Sequence, residues 1–96
     1  MGPKTKQLID VLDKLTLLLG QEDEKHWANW MSSVQNLIVA GYFRGIEKLL
    51  SAYGGMGSLN DVYLKNTSLA NDDFSTFRET AWKLATEIKH DYESRK

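Results

Sequence analysis

Ninety-six residues, 42% hydrophobic and 26% charged, fit one globular domain over residues 1–96 rather than a disordered chain. Lys+Arg 12 against Asp+Glu 13 gives a formal charge of -1 with neither half strongly basic, which withholds the usual electrostatic drive toward nucleic acid or an anionic membrane. The absence of cysteine removes disulfides, thiolate metal sites and cysteine nucleophiles, and two histidines are a poor basis for zinc.

The first apolar pattern is Leu8, Val11, Leu12, Leu15, Leu18 and Leu19. Its steps of three and four predict a helix over about residues 5–19, and Gly20 behind it suits a left-handed C-terminal cap. Asp10, Asp13 and Lys14 interrupt the run, so it is neither a signal peptide nor the ~20 apolar residues of a membrane span. With no export signal and no disulfides, a cytoplasmic location is expected.

The same spacing returns at Trp27, Trp30, Met31, Val34, Leu37 and Ile38. Gln21 to Glu24 precede it, where acidic groups suit the positive end of a helix dipole, and Ala40-Gly41 closes it. The short link near Gly20 makes the first two helices an antiparallel hairpin. A third, shorter helix carries Phe43, Ile46, Leu49, Leu50 and Tyr53 and ends at Gly54-Gly55. Ser58 and Asp61 have the spacing of a capping box, which favours a short helix from Leu59; an extended segment over 59–64 is the alternative.

Residues 65–70 read as a polar loop anchored by Leu69. Asn71-Asp72-Asp73 is an N-cap cluster for the last helix. Its stripe is Phe74, Phe77, Ala81, Leu84, Ala85, Ile88 and Tyr92, interrupted by Arg78 and flanked by Trp82. Residues 93–96 are expected to fray. The sum is an all-α, compact helical bundle of three longer helices plus one or two short ones around a Gly-rich loop.

Chemistry is sparse. His26 and His90 sit on predicted helices beside charged neighbours, with no serine nucleophile in a strand–turn–helix setting. The carboxylate pairs lie at or near helix starts, where the dipole explains them. The expectation is therefore a non-enzyme with no catalytic residues, no metal ligands and no cofactor. Gly54, Gly55 and Gly57 form the one locally unusual stretch, free to take backbone conformations denied to other residues. A phosphate cradle would need a helix N-terminus and a nearby lysine, yet the first basic residue after it is Lys65. The simpler account has Gly54 and Gly55 ending the third helix and Gly57 letting the chain pass close to another helix. Met56 then plugs the core, while Ser58, Asn60 and Asp61 satisfy loop backbone groups.

Core packing is the default for Trp27, Trp30 and Trp82. Tryptophan and tyrosine also anchor protein interfaces, and a bundle this small is short of interior for three indoles with Tyr42, Phe43, Tyr53 and Tyr63. Base stacking on these rings lacks the interleaved basic residues it needs.

The run from Phe43 to Asp61, with Gly54-Gly55-Met56-Gly57-Ser58-Leu59-Asn60-Asp61 at its end, resembles the signature of a family of small bacterial proteins classed as a domain of unknown function. Members are similar in a leading helix, a tryptophan-bearing second helix, the Gly-Gly-Met-Gly-Ser-(Leu/Phe)-Asn-Asp string, and a last helix that begins near an asparagine, here Asn71. The resemblance implies a bacterial protein and supplies no activity.

The expected function is a non-enzymatic protein-binding module, of an immunity (toxin-neutralising) or other accessory type. Its partner is another protein, with no nucleic acid and no membrane. Tyr53, Gly54, Gly55, Met56, Gly57, Ser58, Asn60, Asp61 and Tyr63 are the expected contact residues. The alternatives are a small-ligand or phosphate-binding protein using residues 54–61, and a homodimeric scaffold.

Overall fold

A computed structural model describes residues 2–54, 57–64 and 68–95, positions 68 and 69 by backbone alone. In chain order come α1 (Pro3–Gln21), α2 (Lys25–Val39), α3 (Arg44–Ser51), a single 3-10 turn (Leu59–Asp61) and α4 (Ser68–Ser94). The fold is all-α, as the apolar periods predict, with no strand among the described residues.

Each helix buries most of the stripe its spacing marks. Leu8, Leu12, Leu15 and Leu19 of α1 are fully buried, and Val11 and Leu18 pack at the edge of the core. Met31, Val34 and Ile38 face inward from α2, Ile46 and Leu49 from α3, and Phe74, Ala81 and Ala85 from α4. α1 packs on both α2 and α4, while α3 bridges the same two helices. Each buried leucine stabilises the fold by roughly 1.5–3 kcal/mol over an exposed one. That shared core matters most for α2 and α3, whose 15 and 8 residues are marginal as isolated helices.

The helix ends depart from expectation in instructive ways. α1 starts with Gly2 extended at the N-cap and Pro3 in the first turn, where its missing N–H has no helical partner to lose. It continues through Gly20, since Glu22 N–H still donates to the Leu18 carbonyl oxygen at 3.0 Å. The left-handed cap expected at Gly20 falls on Asp23, at φ 62. Asp23 N–H donates to the Gly20 carbonyl at 3.2 Å and Glu24 N–H to that of Leu19 at 2.8 Å, the two bonds of a Schellman motif. Periodicity marks the buried face and stops with it, whereas the backbone can wind on. α2 closes at Ala40-Gly41, as predicted, with the same bond pair, and there the left-handed residue is Gly41, at φ 88.

α3 then crosses α2 at Gly45. A Cβ at that position would stand 2.8 Å from Ile38 Cγ1 and 2.9 Å from Leu37 Cβ, too close for any larger residue without a shift. The close helix approach expected at Gly57 is thus found at Gly45. A Cβ on Gly57 would meet nothing within 4 Å; the backbone asks for glycine there because φ is 74.

Beyond Ser51 the chain turns at Gly54, with φ 83. Gly55 and Met56, the expected core plug, lie outside the described residues. α4 begins at Ser68, so Asn71 is inside the helix instead of capping it. Residues 68–70, expected as loop, are helical, and residues 65–67 lie outside the described residues. Glu93 and Ser94, expected to fray, complete the helix. Tyr92 is 44% exposed, not a core residue, and its ring stacks on Phe43 at 3.9 Å between centroids, tying the end of α4 to the start of α3.

Candidate functional site

Residues 57–64 cross from α3 toward α4 with buried Leu59 and Leu64 as their two anchors. Leu59 N–H donates to the Ala52 carbonyl oxygen at 2.8 Å. Buried Ser58 caps the 3-10 turn, its Oγ accepting from Asn60 N–H at 3.3 Å. Asp61 Oδ2 accepts from Gly57 N–H at 2.7 Å. The expected capping box is therefore half realised: the serine caps, and the carboxylate turns back to Gly57. The short-helix reading thus holds for Leu59–Asp61, and the turn ends at Val62 with φ -72 and ψ 130 without forming a strand.

α4 supplies the clamps. Asn71 Oδ1 accepts from Leu64 N–H at 2.7 Å while its Nδ2 donates to the Leu64 carbonyl oxygen at 2.6 Å, which satisfies both backbone groups of a buried residue. The Tyr53 hydroxyl donates to the Arg78 carbonyl oxygen at 2.7 Å. Burial pushes the Tyr53 phenol well above its ordinary value, with the Arg78 guanidinium pulling more weakly the other way. The Arg78 guanidinium carbon sits 5.0 Å from the centre of the Phe74 ring. Its Nη1 lies 3.5 Å from the carbonyl oxygens of both Leu59 and Asn60, the long limit of a hydrogen bond.

These residues open onto a cleft of about 410 Å³ lined by Tyr53, Asn60, Arg78, Glu79 and Trp82. Of the contact residues expected from the sequence, Tyr53 and Asn60 line it. Gly54, Gly57 and Asp61 are exposed elsewhere on the chain between α3 and α4, Ser58 is buried, and Tyr63 is 73% exposed. Gly55 and Met56 lie outside the described residues. Arg78, Glu79 and Trp82 were not among the expected contacts. A signal for two of them was present: Arg78 is the charge that breaks the apolar stripe of α4, and Trp82 flanks that stripe.

A second groove of about 440 Å³ lies where the start of α1 meets the ends of α2 and α4. Exposed Val39, Tyr42 and Tyr92 border it, and the Arg44 guanidinium carbon sits 4.7 Å over the Tyr42 ring. His26 and His90 are both exposed, His26 with its ring edge-on to Trp27 at 5.0 Å. Trp27 and Trp30 are half-buried against the core, 5.5 Å apart. Among the described residues no group of three or more metal-binding side chains is placed to hold an ion, and no helix is long and apolar enough to cross a membrane.

A family described as a domain of unknown function (DUF6966) matches residues 20–70, just over half of the chain. The chain belongs to that family. No curated protein and no solved structure matches the chain. The DUF6966 span covers α2, α3 and the crossing residues and ends in the first turn of α4. It therefore contains Tyr53 and Asn60 but not Arg78, Glu79 or Trp82, so three of the five residues that line the cleft come from outside it.

Proposed function

We propose that this chain is a non-enzymatic protein-binding module and that its contact surface is the face where residues 57–64 meet α4. One observation carries the reading: large aromatic side chains, Tyr63 at 73% and Trp82 at 48% exposure, stand in water on backbone that is fixed from below. Tyrosine and tryptophan are the residues that most often anchor interfaces, and a pre-ordered backbone reduces the entropy lost on binding. Asn71 and Tyr53 provide that order here.

The phosphate-binding alternative is less well supported by the same geometry. Gly57 N–H, one of the amides such a cradle would use, is already bonded to the Asp61 carboxylate, whose negative charge opposes an anion at that point. The finer parts of our reading are a bacterial origin, a cytoplasmic location and a toxin-neutralising or other accessory role. The origin rests on the resemblance of residues 43–61, the location on that resemblance and the cysteine-free composition, and the accessory role on the exposed aromatic residues.

The test is capture of the partner by crosslinking, followed by titration of the purified pair. Trp82→Ala and Tyr63→Ala are each expected to weaken binding tenfold or more, on the order of 1.4 kcal/mol, with the melting temperature unchanged. Full affinity in both variants rejects this surface. A rise in melting temperature with a nucleotide or simple anion favours the small-ligand reading instead.

A further inference from the structure

We infer that the cleft between residues 57–64 and α4 receives an acidic side chain of the partner protein, its carboxylate held by Arg78 and the apolar residue beside it resting on Trp82. The inference rests on the protein-binding reading above and names the chemistry of what is bound.

The argument starts from the donors of Arg78. A guanidinium carries five N–H groups in a fixed plane, matched to the two oxygens of a carboxylate. Here the contacts it makes are those from Nη1 to the carbonyl oxygens of Leu59 and Asn60, both at 3.5 Å. No carboxylate pairs with it among the described residues. The side chain is half-buried, and the Phe74 ring 5.0 Å from the guanidinium carbon provides a surface for that plane. A charge that is partly withdrawn from water, held in a cleft and short of acceptors is complementary to an incoming anion.

The other walls narrow the kind of anion. Glu79 lines the same cleft and is exposed, so a doubly charged phosphate meets more repulsion there than a singly charged carboxylate does. Trp82 is 48% exposed at the same cleft and offers apolar area that a free carboxylate leaves unused. A Glu or Asp next to a large apolar residue satisfies both walls at once. The Tyr53 hydroxyl is already committed to the Arg78 carbonyl oxygen, and of the residues that line the cleft Arg78 alone offers a charged donor to the ligand.

The test is selection of random displayed peptides on the full chain, followed by titration of synthetic versions. Recovered peptides are expected to carry Asp or Glu beside a large apolar residue, and the matching Asn or Gln peptides to bind about tenfold more weakly. Arg78→Gln is expected to cause a similar loss. Because Arg78 also touches the crossing backbone, Glu79→Gln serves as the second variant: it removes a like charge from the cleft and is expected to tighten the acidic peptide about threefold at low salt. Peptides free of carboxylates that still need Trp82, or acidic peptides indifferent to Glu79→Gln, overturn the acidic assignment and leave the protein-binding reading standing. Recovery of no sequence above the unselected background counts against both.

Discussion

The Tyr53 phenol is held away from water and donates to the Arg78 carbonyl, so its proton is retained far into the alkaline range. Unfolded chain releases that proton near pH 10, while the folded protein keeps it to higher pH. The contribution of this residue to stability is therefore complete below about pH 10 and is lost as pH climbs from there toward the raised folded value. Tyr53→Phe is expected to lower stability at neutral pH by about 0.5–1.5 kcal/mol through the missing bond, and to flatten the alkaline decline. Melting temperatures measured across pH 7–12 in both proteins check this, and equal slopes above about pH 10 contradict it. Single residues also explain where prediction and structure part. Asn71 is a good N-cap residue by type, but its carboxamide is engaged with both backbone groups of Leu64, a use that depends on a segment seven positions away.

At the scale of elements, the apolar periods identify the buried faces of α1, α2, α3 and α4 because a helix that packs on a core turns side chains three and four apart to the same side. They do not locate helix ends, which depend on backbone bonds such as Glu24 N–H to the Leu19 carbonyl. The glycine cluster was legible as a turn, since Gly54 and Gly57 take positive φ, but the glycine that matters for packing is Gly45, which nothing around it in sequence marks as special. Only the meeting of α2 and α3 shows it. Gly45→Ala is expected to destabilise the protein by about 1–3 kcal/mol, because the atoms in the way include Leu37 Cβ and the Ile38 backbone nitrogen, which cannot swing aside. Chemical denaturation reads this directly, and a change under about 0.5 kcal/mol contradicts the close crossing. The candidate site was half legible for the same reason: Tyr53 and Asn60 lie in the unusual stretch, while Arg78, Glu79 and Trp82 join them only through folding.

Over the whole molecule, the family match and the folding unit do not coincide. Residues 20–70 hold α2, α3 and the crossing residues, yet Leu8, Leu12, Leu15, Leu19, Phe74, Ala81 and Ala85 of the core lie outside that span. A fragment of residues 20–70 is expected to show little helix by circular dichroism at room temperature, because α2 and α3 lose the leucines and the long helix they pack on. A fragment with full helical signal and a cooperative melt contradicts this dependence. Asn71 and Arg78, which grip the crossing residues, sit on the same helix about two turns apart. Unwinding of the first turns of α4 thus releases Leu64 and slackens the hold on Leu59 together. Hydrogen exchange at the Leu64 amide, which donates to Asn71, then tracks that opening, and the aromatic display at Tyr63 lasts only as long as that helix start stays wound.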